Sequence, residues 1–308
     1  MQLFMNGEES GSEGRALVHV PTGPSKGETY ELPRLGKANF ENQVARPGFS
    51  RATVVAGLDD STPGQVYIYI GRKTAAGSFL DRAGLTNGFL FGVRVPGVPL
   101  EDRVTGIGTQ TQFELANLGD VSALNGAAIQ AASVNAGVTE FLRPEDGAWD
   151  PNDPRRFYFN TTDRIDSGSQ VGRSRLWRLS FSDFLHPEQG GTIEMLLDGT
   201  EGQQMLDNLA VDAHGNLILQ EDTGNNAHLA SIWFYDVHSD QLTRIAQHDP
   251  SRFLAGGANF LTQDEESSGV IDASAILGPG WFLLDSQAHY STDAELVQGG
   301  QLLALLSA

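Results

Sequence analysis

Apolar residues along the chain gather in short runs broken by Gly, Asn, Asp and Ser, and few of them keep a helical spacing. Leu209–Val211 and Leu217–Leu219 are two such runs. They are joined by Asp212-Ala213-His214-Gly215-Asn216, a turn in which Gly and Asn accept positive φ at little cost, so the stretch predicts a β-hairpin. Asp207 precedes the first strand, and Glu221 and Asp222 follow the second, which puts carboxylates at both ends of the hairpin.

The pattern repeats. One copy runs from Phe40-Glu41-Asn42 through Thr53–Ala56 and Leu58-Asp59-Asp60 to Gln65–Ile70. A second has Glu145-Asp146-Gly147, Arg156–Phe159 with Thr161-Thr162-Asp163, and Ser174–Leu179. The Leu206–Asn226 stretch is completed by Ser231–Asp236, and a last copy has Gly269–Asp272, Trp281–Leu284 with Asp285-Ser286-Gln287, and Gly300–Leu305. Each copy reads as strand, turn, strand, acidic loop and third strand, usually with a fourth, as in Thr192–Leu197 and Gln241–Ile245. Units of four strands spaced by several tens of residues predict an all-β fold, a β-propeller of about five to six four-stranded blades. An irregular β-sandwich shares the pattern.

Met1–Met5 and Glu8-Glu9 match the second strand and acidic loop of a blade, and Arg15–Val20 matches the third strand, so the opening blade is expected to be incomplete. The expectation is one propeller domain over 1–308, truncated at its N-terminus. It carries an insertion over 101–140 with a short helix near 120–132, where Ala-rich sequence has helical spacing and Asp120 could cap it.

Composition narrows the chemistry. The net charge of -19 disfavours nucleic acid or an anionic membrane as a partner and suits multivalent cations. Cysteine is absent, which removes thiolate ligands, thiol nucleophiles and disulfides together. No apolar run is long enough to span a bilayer. No GxSxG elbow, HExxH or GxxxxGK[ST] loop occurs, so serine hydrolase, zincin and P-loop readings lack support from motifs. Of the seven histidines only His289, in the acidic-loop position of the last copy, is placed near a site.

First strands of propeller blades line the central channel, so Glu41, Glu145 and Asp207 are expected to approach one axis. Crowded carboxylates repel, and a bound cation relieves them; Ca²⁺, with six to eight oxygen ligands in loose geometry, suits the Asp, Glu, Asn and carbonyl donors available. Any single acid could instead cap its own turn. Arg143, beside Glu145, could grip a tetrahedral oxyanion such as phosphate bidentately, or only neutralise its neighbour.

Gly7-Glu8-Glu9, Glu13-Gly14-Arg15, Gly36–Glu41, Leu58-Asp59-Asp60 with Gln65–Ile70, Arg143-Pro144-Glu145, Asp207-Asn208-Leu209-Ala210 and Gln287-Ala288-His289, in that order, resemble the PhoX-type alkaline phosphatases. The resemblance implies a propeller whose channel holds Ca²⁺ and iron and hydrolyses phosphate monoesters outside the cytoplasm. By motif, Glu13 and Glu145 resemble iron ligands, Arg143 the phosphate clamp, and Glu8, Glu41 and Asp59 or Asp60 calcium ligands. Arg143, Glu145 and Glu13 would then carry catalysis on a phosphorylated small molecule, in a monomer. The family has a Cys where this chain has Gly7, and an all-oxygen site favours Ca²⁺ over Fe³⁺. Two alternatives remain: a Ca²⁺-dependent lactonase or arylesterase-like propeller, which the Leu209–Leu217 stretch also resembles, and a non-catalytic propeller stiffened by Ca²⁺.

Overall fold

Twenty strands and a few short helices make up the computed structural model, which describes residues 2–48, 50–102, 106–163 and 172–307. Met1 and positions 103–105 of the expected insertion lie outside them. Backbone contacts divide the chain into two units. One comprises Met1–Trp149, Asp153–Tyr158 and Trp177–Met195; the other comprises Asp150–Asn152, Phe159–Leu176 and Leu196–Ala308.

The first unit opens with a three-stranded antiparallel sheet, β1 (Phe4–Gly7), β2 (Ala16–His19) and β3 (Thr29–Glu31). The ten-stranded sheet that follows lies mostly in this unit. Its strands are β4 (Phe40–Ala45), β5 (Ala52–Asp59), β6 (Gly64–Arg72), β7 (Phe89–Arg94), β8 (Gln110–Gly119), β9 (Glu140–Phe141), β10 (Pro144–Trp149), β11 (Arg156–Thr161), β12 (Arg175–Phe181) and β13 (Gly191–Leu197). They run in the order β10-β11-β12-β13-β8-β7-β6-β5-β4, with β9 pairing β6. The sheet is two meanders fused along β13 and β8, where Gly191 faces Phe113 and Glu194 faces Gln110.

The sheet's two end strands are drawn back together. The Asn42 amide on β4 donates to the Asp146 carboxylate on β10, and the Trp149 indole donates to the Val44 carbonyl at 3.0 Å. A strand flanked on both sides and covered on both faces reads as a continuous apolar run, and β6 does so: Val66, Tyr67, Ile68 and Tyr69 are all buried. Phe40, Val55, Tyr67, Tyr69 and Leu90 build the core with Leu35 and with Ile129 of a helix, α1 (Gly126–Asn135).

That helix lies within the expected insertion, but not at its expected limits. Its cap is Asn125, whose side chain accepts from Ala128 N, while Asp120 is spent on Ser122 and on an ion pair with Arg34 at 2.7 Å. Asp120 stands six residues before the first helical residue, Gly126, too far to reach the free N–H groups of the first turn, and closes its own turn with Ser122 instead. The insertion also supplies β8, a ten-residue strand that sequence pattern did not predict; its burial alternates too weakly to stand out.

In the second unit, β14 (Leu206–Val211), β15 (Leu217–Glu221), β16 (Ser231–Asp236) and β17 (Gln241–Gln247) form a complete four-stranded meander. The predicted hairpin is present: Leu209 faces Leu219 and Val211 faces Leu217. Asp212 closes its turn by accepting from His214 N and Asn216 N, both at 2.8 Å, with Gly215 at φ 88°. A second antiparallel sheet holds β18 (Glu265–Asp272), β19 (Trp281–Ser291) and β20 (Gln298–Leu306), and Ile218, Ile232, Phe282 and Leu284 form a shared core.

Gly7 marks where β1 meets β4. A Cβ built there would lie 2.3 Å from the Phe40 carbonyl oxygen and 2.5 Å from Phe40 Cβ, and backbone cannot yield cheaply. Gly7→Ala and Gly7→Cys are therefore both expected to lower stability by about 1–3 kcal/mol, the usual cost of overpacking, in urea unfolding followed by fluorescence. A Gly7→Cys protein as stable as wild type would mean that β1 and Phe40 approach less closely than a Cβ at position 7 requires.

Candidate functional site

The sequence-selected residues of the first unit fall into two sets. In the first set, Glu8 follows β1 and is held by Arg15, whose Nε donates to it at 2.6 Å and whose backbone N–H donates at 3.2 Å. Arg15 holds the Glu8 carboxyl below its ordinary range. Glu13 accepts from Gly126 N at 2.8 Å at the start of α1 and pairs with Lys37 at 3.1 Å; the amide first, then Lys37, lower its pKa. Both acids stand at the solvent edge with cationic partners.

The second set is packed around one guanidinium. Arg143 lies between β9 and β10 with φ 59°, a left-handed conformation rare for a long side chain and a reason to look for a special role. Its Nε and a terminal nitrogen donate to the two Asp60 oxygens at 2.8 and 3.1 Å, and the terminal nitrogen also lies 2.8 Å from Glu145. Glu145 is 1% exposed, and the Asp60 side chain 8%. Arg143 N donates to the Ser61 carbonyl at 3.2 Å, which anchors its backbone to the loop after β5.

Asp59, the last residue of β5, is buried beside this pair. It accepts from the Ser61 hydroxyl at 2.7 Å and from Asn39 N at 3.2 Å. Burial pushes its pKa up to about 6 despite these donors, and the Asp60 charge adds to the rise. Two residues of this cluster were not selected from the sequence as site residues. Glu9 brings its carboxyl to Asn39 and Asp60; loss of water there, then the Asp60 charge, raises its pKa, while Arg143 opposes the rise. Asn39 ties the loops together, accepting from Gly11 N at 2.6 Å and donating to the Asp60 carbonyl at 2.8 Å. Their only sequence signal is position, Glu9 beside Glu8 and Asn39 one residue before β4.

Glu41 sits on β4 at a break in register between Phe40 and Asn42. Asp207, in the second unit, sits at a matching break between Leu206 and Leu209 on β14. Bulges re-aim side chains, so the same device acts on the first strand of two different meanders, each time at an apolar-acid-Asn triplet. Around Asp207, Asn160 donates to its carbonyl at 2.9 Å and Asn208 accepts from Gly269 N at 2.7 Å. His289 lies in β19, with its Nε2 3.8 Å from Glu266.

Among the described residues no three His, Asp or Glu side chains are gathered closely enough to hold a metal ion. Around Arg143 the positive charge between carboxylates is supplied by the guanidinium itself. Any cation site there would be all-oxygen, which suits a hard ion; the backbone at Gly7 leaves no space for the thiolate that would favour iron.

Antiparallel meanders of three to five strands define a propeller-type β protein, and two of them carry an acid at a register break in the first strand. No family model and no curated protein matches the chain. Among solved structures it is similar to Pseudomonas fluorescens PhoX in complex with vanadate, a transition state analogue, at 16% sequence identity and a TM-score of 0.65. The match covers 94% of this chain and 57% of that one, so the chain spans a little over half of its neighbour's length. At this identity the likeness shows the propeller fold and a structural relation to PhoX-like proteins.

Removing Arg143 breaks its ion pairs with Asp60 and Glu145 and is expected to cost about 3 kcal/mol as Arg143→Ala, the usual penalty for breaking a buried ion pair. Arg143→Gly loses the same charge but relieves the left-handed φ, so it should be roughly 1 kcal/mol more stable than Arg143→Ala. Denaturant unfolding of both variants reads the difference; equal stabilities would mean that φ stores no strain.

Proposed function

We propose that this protein is a metal-dependent phosphomonoester hydrolase of PhoX-like type, acting at the Arg143 cluster on a phosphorylated small molecule. The observation that carries the reading is the Arg143 guanidinium, held in a left-handed turn with its fork already gripping one carboxylate bidentately and touching a second. A carboxylate and a phosphoryl group present the same pair of oxygens to that fork. The likeness to a PhoX solved with vanadate supports the choice of phosphate as the oxyanion.

Asp59, Asp60 and Glu145, with Glu9 beside them, are the carboxylates at the Arg143 cluster, and they would have to draw closer to hold a cation, because as they stand no three acids among the described residues are gathered tightly enough. Glu8, Glu13 and Glu41 are the other acids of the proposed metal-binding set in this unit. Ca²⁺, which takes six to eight oxygen ligands in loose geometry, suits the oxygen-only donors. When bound, it would supply positive charge to polarise the phosphoryl oxygens. Arg143 exchanges Asp60 and Glu145 for phosphoryl oxygens and stabilises the charge that develops on them. Burial raises the Asp59 pKa to about 6, and a cation bound beside it would favour its charged form. The reading carries with it an extracytoplasmic location, a monomeric state, and neither nucleic acid nor membrane as partner. Among the described residues no helix is long and apolar enough to cross a membrane.

The purified protein should hydrolyse p-nitrophenyl phosphate with Ca²⁺ present and lose that activity on chelation. Arg143→Ala should lower kcat/KM by roughly 100- to 1,000-fold, the scale seen when one oxyanion donor is removed. Turnover that ignores both Arg143 and metal, or no turnover with any divalent cation, would sink the assignment.

A further inference from the structure

The second unit contains polar groups that the phosphatase reading does not use. A cavity of about 470 Å³ is lined by His248, Ser286, Tyr290 and Gln301 together with Phe253 and Leu303. The Ser286 hydroxyl lies 3.4 Å from His248 Nε2, and His248 Nδ1 lies 3.9 Å from Glu265 Oε1. Glu265 is fully buried, and its Oε2 and His248 Nδ1 are both buried without a hydrogen-bond partner. Unpartnered buried polar atoms are costly and call for a role.

The backbone holds these groups together. His248 N donates to the Ala230 carbonyl at 3.0 Å, while Ala230 N donates to Glu265 Oε1 at 3.1 Å, so one residue braces both the imidazole's backbone and the carboxylate. In the sheet register Ser286 stands directly opposite Ser267 on β18 and Gln301 on β20, and Glu265 stands opposite Ala288. Directly paired residues share one sheet face, so Gln301 stands on the same face as Ser286, and both line the cavity.

We propose that Ser286, His248 and Glu265 form a nucleophile, base and positioning carboxylate for the hydrolysis of carboxylic esters with a small apolar acyl or aryl group. Such a triad is recognised by geometry and role rather than by motif, and its hydrogen bonds are commonly long before substrate binds. Ser286 Oγ attacks the ester carbonyl carbon as its proton passes to His248 Nε2. The carbon–oxygen bond to the alcohol breaks as His248 returns that proton to the leaving oxygen. Water, deprotonated by His248, then displaces the acyl group and restores the Ser286 hydroxyl. The Gln301 amide is placed to donate to the tetrahedral oxyanion. Burial holds His248 down at about 4, so at neutral pH the imidazole is free to accept a proton. Burial likewise pushes Glu265 up to about 7; His228 opposes this and Asp264 adds to it.

The test is labelling of the full chain by a fluorophosphonate probe, mapped by peptide mass spectrometry. The expected adduct is on Ser286 in folded protein, absent after heat unfolding and absent in Ser286→Ala. His248→Asn should slow labelling by about 100-fold, the lower range for losing a general base. Wild-type labelling should rise with pH through about 7 as Glu265 ionises. In Glu265→Gln that rise should flatten, whereas a merely structural Glu265 would change stability and leave the profile intact. Turnover of p-nitrophenyl butyrate should follow the same pattern. Absence of an adduct on wild-type Ser286, or a pH profile unmoved in Glu265→Gln, overturns the proposal; neither result bears on the Arg143 site.

Discussion

The first unit depends on one electrostatic constraint, that Asp60 and Glu145 occupy neighbouring, nearly dry positions. Two carboxylates so placed would repel strongly at low local dielectric, and the cost of holding both ionised falls only when positive charge lies between them. Arg143 meets that need from a turn whose φ most residues avoid. The closing of the ten-stranded sheet makes the arrangement necessary: β5 brings Asp59 and the loop after it Asp60, β10 brings Glu145, and contacts between the end strands hold these elements in place. A guanidinium held in this way is pre-positioned for an anion that offers the same oxygens as the carboxylates it already binds.

The acids of this chain are used in different ways according to how completely they are satisfied. Glu221, fully buried, accepts from Gln204 N, Ser231 N, the Trp233 indole and His228, all at 2.8–2.9 Å. Every oxygen is engaged, and such a group stiffens a fold. Glu265, equally buried in the same unit, has one oxygen without a partner and faces an imidazole nitrogen that also has none. The contrast separates a structural carboxylate from one poised for chemistry, because an unpaired buried charge is tolerated only where something else is gained.

Repetition of the meander places these acids. In both units the first strand slips register at an apolar-acid-Asn triplet, Phe40-Glu41-Asn42 and Leu206-Asp207-Asn208. A bulge lets a strand stay paired while one side chain leaves the alternating pattern, so a shared backbone device presents an acid at the same step of these two repeats.

Features that depend on neighbours in sequence were legible without coordinates. The Leu209–Leu219 hairpin, the all-β propeller class and a short helix inside 101–140 all follow from turn chemistry and local periodicity, whose energies act within a few residues. The choice of Asn125 over Asp120 as helix cap was not legible, because the helix begins only at Gly126, beyond the reach of Asp120, which is spent on its own turn with Ser122. Nor was the bond from Arg143 to Asp60, 83 residues apart, or the meeting of Ser286 with His248 and Glu265 from three separate strands or strand ends. Sequence named the residue types and their spacing along the backbone; sheet pairing and closure alone decided which charges would meet, since burial and register are properties of the folded chain.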